Sequence, residues 1–422
     1  MNCVLKNANV YYDKKFQKLN VYIEDGIITN ITDAALENEG GIIFDFKDKY
    51  IFPGFVDVHV HLREPGFSYK ETVKTGTMAS ARGGYTTVLT MPNLSPVPDS
   101  VENLNKQLDI IKNDAVIEVI PFGSITVGEK GERLADLEGM AELVAGFSDD
   151  GRGVQSEEMM CEAMKTAKKL GKIISAHCED NSLLNGGYIH AGEYAKINNH
   201  KGIVSESEAG PIRRDVELIK KTGCKYHVCH VSAKESVKVI SEAKKNGVDI
   251  TCETGPHYLV FSDMDLKDEG RFKMNPPIRA KEDRDALIEG IKDGTVDMIA
   301  TDHAPHSKEE KSRGLKDSLM GVVGIETAFA VLYTHLVKKN IISLEKLIEL
   351  MSINPRKRFD IQSSFETGKK ANLTVFDLDN EYKINPDEFL SMGKATPFEG
   401  MLVSGKCLLT IADGKIAWQE DK

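Results

Sequence analysis

The chain has 422 residues, 41% hydrophobic and 28% charged, with a formal net charge of -11. That size and composition suit one large core plus a satellite domain, and the acidic balance argues against nucleic acid or an anionic membrane as a general partner. No stretch approaches the ~18 uninterrupted apolar residues of a membrane span, and Met1-Asn2-Cys3-Val4-Leu5-Lys6 lacks the layout of a signal peptide, so a cytoplasmic location is expected. The seven cysteines form no C-x-x-C pair, as reduced intracellular thiols would.

Short alternating runs at 4–10, 19–23 and 26–31, with an Asp25-Gly26 turn, predict antiparallel strands. The same style resumes at 372–377, 401–403 and 406–411, after a turn at Gly368-Lys369-Lys370-Ala371-Asn372-Leu373. Residues 1–53 and 345–422 are therefore expected to form one small, split β-sandwich-like domain, with residues 54–344 inserted between them.

Within that insert, β-branched runs at 54–62, 85–91, 115–122, 143–148, 172–177, 225–231, 249–253 and 297–301 predict eight strands. Helical patterns lie between them at 70–82, 101–112, 156–170, 208–221, 234–246 and 282–292, several stopping at a glycine: Gly83, Gly171, Gly223 and Gly247. Alternating β and α units imply parallel strands with right-handed crossovers, and eight of them close a barrel. The fold class expected is α/β, a (β/α)8 TIM-like barrel. The stretch 179–205, rich in Asn, Gly and His, reads as a loop excursion.

Side chains at the C-terminal ends of barrel strands converge on one mouth. The first strand ends in His59 and His61, two residues apart and so on one face. The fourth runs into Phe147-Ser148-Asp149-Asp150-Gly151, the fifth ends at His177, the sixth at His230 and the eighth at Asp302. Each alone is as easily an ordinary buried histidine or a turn aspartate. Together they place four of only 11 histidines at one end of the barrel, a ligand set suited to two Zn²⁺ ions. Strand alternation predicts that the neighbouring Cys178 and Cys229 face the helix layer.

Asp-x-His-x-His followed by Leu62-Arg63, Met91-Pro92-Asn93, Phe-Ser-Asp-Asp-Gly, His177-Cys178-Glu179-Asp180, His230-Val231-Ser232, Asn275-Pro276-Pro277-Ile278-Arg279 and Asp302-His303-Ala304-Pro305-His306 together resemble the amidohydrolase superfamily. More narrowly they resemble dihydroorotases of the bacterial type I subgroup, over essentially the whole chain. Many relatives bridge two metals with a carbamylated lysine at the end of strand four; there is no lysine between Ala141 and Gly151, which leaves Asp150 as the bridge.

The resemblance implies zinc-dependent, reversible hydrolysis of the cyclic amide of (S)-dihydroorotate to N-carbamoyl-L-aspartate, a step of pyrimidine nucleotide synthesis. It implies two Zn²⁺ per subunit: His59, His61 and Asp302 on one, His177 and His230 on the other, Asp150 between them, with Asp302 also the catalytic proton carrier. Arg63 and Asn93 would hold the substrate carboxylate, Asn275 and His306 would contact the ring or its carboxylate, and Met320 and Gly321 would offer backbone contacts. Leu319-Met320-Gly321 departs from the Pro-Phe-Gly usual in relatives, which leaves that loop's shape open. A homodimer, and association with aspartate transcarbamoylase, are the partners implied. The competing readings are a related cyclic amidase (dihydropyrimidinase, hydantoinase or allantoinase) and an inactive partner of aspartate transcarbamoylase.

Overall fold

The computed structural model describes residues 1–36, 41–362 and 365–420. The first five strands are β1 (Cys3–Tyr12), β2 (Lys15–Glu24), β3 (Ile27–Thr32), β4 (Ile42–Asp45) and β5 (Tyr50–Pro53). Asp25 and Gly26, both at positive φ (49° and 78°), make the tight turn between β2 and β3.

The chain then enters β6 (Phe55–Val60), β7 (Tyr85–Thr90), β8 (Glu118–Pro121) with its continuation β9 (Gly123–Ser124), β10 (Gly146–Ser148) and β11 (Ile173–Ala176). After a small parallel pair in the loop excursion, β12 (Ile189–His190) and β13 (Gly202–Ile203), come β14 (Lys225–Val228), β15 (Ile250–Thr254) and β16 (Met298–Ile299). All neighbours from β6 to β8 and from β9 to β11 and β14 to β16 pair in parallel. The ring closes where His61 N–H donates to His303 O (2.9 Å) beside the Val60–His303 bridge. All eight expected barrel strands are present, the eighth reduced to two residues.

The crossover helices start where the sequence offers a hydroxyl cap. Thr72, Ser100 and Ser156 each accept a backbone N–H at the head of Val73–Arg82, Val101–Asp114 and Glu157–Lys169. Gly223, left-handed at φ 66°, ends Glu206–Thr222. Gly83 caps its helix with ordinary right-handed angles, and the neighbouring Gly84 takes the positive φ instead.

The ends of the chain complete a second sheet: β17 (Leu373–Lys383), β18 (Leu402–Ala412) and β19 (Lys415–Gln419) join β5, β1, β2 and β3, with β4 paired to β1. Its own apolar core contains Leu5, Val10, Val21, Ile51, Leu373, Val375 and Leu409. The segment that leads back from the barrel to the sheet is tied to barrel residues. Ser352 Oγ donates to Gly54 O (3.0 Å), Asn354 Nδ2 to Asp297 O (2.7 Å), and Phe359 and Ile361 lie in the cluster of Val56, Val58, Leu89 and Met298. Residues 344–361 thus pack with the barrel, because their apolar side chains are drawn into its core rather than that of the sheet.

Candidate metal and substrate site

The strand ends gather around Asp150, which follows β10. Its carboxylate oxygens lie 3.3 Å from His59 Nε2, 3.5 Å from His61 Nε2, 3.6 Å from His177 Nδ1 and 3.4 Å from His230 Nε2. Asp302 Oδ1 lies 3.1 Å from His61 Nε2 and 3.6 Å from His59 Nε2, while His177 Nδ1 and His230 Nε2 are 2.9 Å apart. All six residues are buried. His230 and Asp302 hold left-handed φ of 34° and 46°, strain that branched or ring-bearing residues adopt where the surrounding structure forces it.

These donors fit a divalent cation. The candidate ligand atoms of His59, His61 and Asp302, and of His59, Asp150 and His230, all lie within 4.8 Å of one another. His59 Nε2 and Asp150 Oδ1 are buried and face each other without a hydrogen bond, and no partner satisfies them among the described residues. A ring nitrogen and a carboxylate oxygen left without hydrogen bonds in a buried centre are what a cation would claim.

The charges are mutually dependent. Burial opposes ionisation of Asp150, yet His59, His177 and His230 hold it well below the usual carboxylate range. Burial likewise opposes protonation of His177, but Asp150 and Glu179 raise it to about 10. His61, where burial outweighs its bond to Asp302, is pushed down.

Outside this ring lie residues that sequence reasoning gave no role. Glu253 on β15 accepts from His59 Nδ1 (2.7 Å), His227 Nε2 (3.0 Å) and His230 N (3.2 Å). Asp57 takes the backbone N–H of His59 and both donors of Thr301, tying β6 to the strand before Asp302. Asp149 takes Ile125 N, Thr126 N and the Thr126 hydroxyl, and so holds the turn that presents Asp150. Asp57 and Asp149 adjoin predicted site residues in the sequence, which was the available signal for them; nothing near Glu253 names its partners.

Cys178 belongs to the large cluster that includes the crossover helices, as expected, with its thiol 3.6 Å from Tyr226 Oη. Cys229 does not: it lies in the barrel interior with Val56, Val58 and Met298, its Sγ 3.1 Å from Ser175 Oγ. The positive φ of His230 breaks strand alternation immediately after Cys229, so adjacent residues both turn inward. Although His59, Cys229 and Glu253 also cluster, burial raises the Cys229 thiol to about 12, which keeps it protonated and a poor ligand.

A cavity of about 220 Å³ opens over the histidines. It is lined by every expected site residue except the fully buried His59, namely His61, Asp150, His177, His230, Asp302, Arg63, Asn93, Asn275, His306, Met320 and Gly321. Arg63, at φ 62°, donates Nε to Pro305 O (3.1 Å), and burial lowers it only to about 10, so it stays cationic. Asn93 Oδ1 lies 2.9 Å from His61 Nδ1.

His306 Nε2 is 2.7 Å from Met320 O, an acceptor only, so that nitrogen carries the proton; Nδ1 then accepts from Lys70 Nζ (3.2 Å), which also pairs with Glu310, whose Oε2 lies 3.3 Å from Nδ1. Burial lowers the ring to about 3, consistent with this neutral tautomer. The bond fixes the loop whose sequence departs from Pro-Phe-Gly, and Lys311 Nζ, donating to Leu319 O (2.7 Å) and Lys273 O (2.9 Å), fixes it from behind. His257 is buried and absent from the cavity wall, and His303 turns its ring toward Glu71 (3.5 Å).

A parallel eight-stranded barrel with a histidine and aspartate cluster at its strand ends and a β-sheet built from both chain ends defines a hydrolase of the amidohydrolase class. The architecture is similar to that of an L-hydantoinase (dihydropyrimidinase) from Arthrobacter aurescens, with a TM-score of 0.89 at 26% identity over 100% of this chain and 97% of that one.

Sequence comparison narrows the class. The profile of the Dihydro-orotase-like family matches residues 48–236. A dihydroorotase of Fusobacterium nucleatum is 54% identical over 417 residues, 98% of each chain, and one of Geobacillus sp. (strain WCH70) is 46% identical over the full length of both. The chain belongs to the dihydroorotase family.

Proposed function

We propose that this chain hydrolyses (S)-dihydroorotate reversibly to N-carbamoyl-L-aspartate, using two Zn²⁺ ions held by His59, His61, Asp302, His177 and His230 with Asp150 shared. The observation that carries the reading is Asp150 within 3.3–3.6 Å of a nitrogen of all four histidines, in a cavity that also presents the cationic Arg63.

Divalent ions bound there supply Lewis acidity, acidifying water and polarising a carbonyl. The protein does the rest. Arg63 pairs with the substrate carboxylate, because its planar fork matches a carboxylate and it stays charged in a buried site. Asn93 and His306 flank it, and Met320 and Gly321 close the wall with backbone groups.

Asp302, held ionised by His61 and its neighbours against the cost of burial, accepts the proton of the attacking water. As the amide C–N bond breaks, the same carboxyl delivers that proton to the departing ring nitrogen. Ring closure runs the steps in reverse and starts with Asp302 protonated, so lower pH favours it.

Homodimer formation, association with aspartate transcarbamoylase, a cytoplasmic setting and a role in pyrimidine synthesis belong to the same proposal and rest on the resemblance. No helix among the described residues is long and apolar enough to cross a membrane. The division into a barrel, 54–361, and a sheet domain from the two ends is proposed on the packing of Phe359 and Ile361.

The test is turnover of dihydroorotate, hydantoin and allantoin side by side, before and after chelation and zinc restoration. Zinc-restored turnover of dihydroorotate far above that of hydantoin or allantoin is expected. Preference for hydantoin or allantoin would favour the related cyclic amidases, and no turnover of any substrate with zinc bound would favour an inactive partner.

A further inference from the structure

Asn275 Nδ2 lies 3.0 Å from Glu179 Oε1 and 3.1 Å from Glu179 Oε2, centred on the carboxylate. A carboxylate only accepts, so the reversed amide would set an oxygen against two oxygens. Glu179 therefore decides which end of the Asn275 amide is turned away from it. That end is Oδ1, which is buried and has no hydrogen-bond partner among the described residues. Asn275 lines the cavity and Glu179 does not. A buried acceptor lacking a donor is unfavourable until something supplies one, and a bound ring carrying N–H groups can.

We propose that Glu179 is a positioning residue that fixes Asn275 as a hydrogen-bond acceptor, so that the site reads a ring N–H and rejects analogues in which that hydrogen is replaced. This rests on the reading of Asn275 as a substrate contact. The identity of this pair then contributes to specificity: a site built to pair with a substrate N–H leaves its own acceptor stranded when the hydrogen is missing. Asn275→Asp alone sets two carboxylates face to face. Combining it with Glu179→Gln restores a donor opposite an acceptor, keeps the pair's total charge and again turns an oxygen away.

The experiment compares the parent, N275A, N275D, E179Q and E179Q/N275D for kcat, KM, bound metal, and affinity for dihydroorotate and its two ring-N-methyl derivatives. The parent is expected to bind at least one methyl derivative about tenfold more weakly than dihydroorotate, and N275A to lose that discrimination. N275D is expected to lose about 100-fold in kcat/KM and the double variant to recover at least about tenfold of it, mostly in KM.

A double variant no better than N275D, with its metal content intact, would overturn the role given to Glu179. Because Glu179 Oε2 also lies 3.6 Å from His177 Nε2, metal lost in E179Q and in the double variant would overturn it too, by assigning Glu179 to that histidine. N275A with unchanged KM and unchanged discrimination would instead refute the underlying contact.

Discussion

Glu253 places one carboxylate oxygen 2.7 Å from His59 Nδ1 and the other 3.0 Å from His227 Nε2. The carboxylate engages Nδ1 of His59 and leaves Nε2, which faces Asp150 and Asp302, as the nitrogen a metal would take once its proton is displaced. Burial disfavours the charge of Glu253, but His59 and His227 hold it ionised. Substituting Glu253→Gln keeps the shape and removes the charge. Zinc affinity is expected to fall by about 10–100-fold, measured by competition with a chromophoric chelator; unchanged affinity would remove Glu253 from the metal centre.

Arg63 is a buried cation on the wall of the same cavity. For Arg63→Ala, KM for dihydroorotate is expected to rise by ~100-fold, the range seen when one partner of a buried charge pair is removed. Slow turnover of hydantoin, which has no carboxylate, should change little. Steady-state kinetics on the two substrates checks this, and an equal loss on both would assign Arg63 a structural role.

How much of this was legible in the chain can be judged from individual residues. The barrel strands and their terminal His59, His61, Asp150, His177, His230 and Asp302 were readable because strand period and strand end are local properties. Glu253 was not, since its bond to His59 spans 194 positions and nothing near either residue names the other. Lys70 escaped for the same reason, being 236 positions from His306. Cys229 was misplaced because alternation was carried through His230, whose positive φ ends it.

Metal binding should be strongly pH-dependent. His177 is raised to about 10 by Asp150 and Glu179 despite burial, so the metal-free site carries a proton there at neutral pH. A metal must displace it, so affinity is expected to rise as pH increases from 6 toward 9, about tenfold per unit for each proton released. Zinc titrations at several pH values check the slope; affinity independent of pH would contradict it.

Glu129 is buried, 4.0 Å from Arg152, and burial together with Asp149 and Asp150 raises it from 4.5 to about 9. Between those values the folded chain keeps a proton that the unfolded chain has released. Its contribution to stability is therefore greatest below pH 4.5 and declines as pH rises toward 9. Glu129→Gln should raise Tm by ~2–4 °C at pH 8 and by less at pH 5. Calorimetry at both values decides, and an equal shift at both would show that the charge is not the cause.

The central claim is that six side chains from five separate stretches hold a pair of divalent ions around Asp150. Anomalous diffraction at the zinc absorption edge, on crystals of the zinc-restored protein, tests it directly. The account predicts two peaks at about 2.0–2.2 Å from their ligand atoms: one among His59, His61 and Asp302, the other beside His177 and His230, with an oxygen of Asp150 on each. A single peak, or two peaks that leave Asp150 uncoordinated, would contradict it.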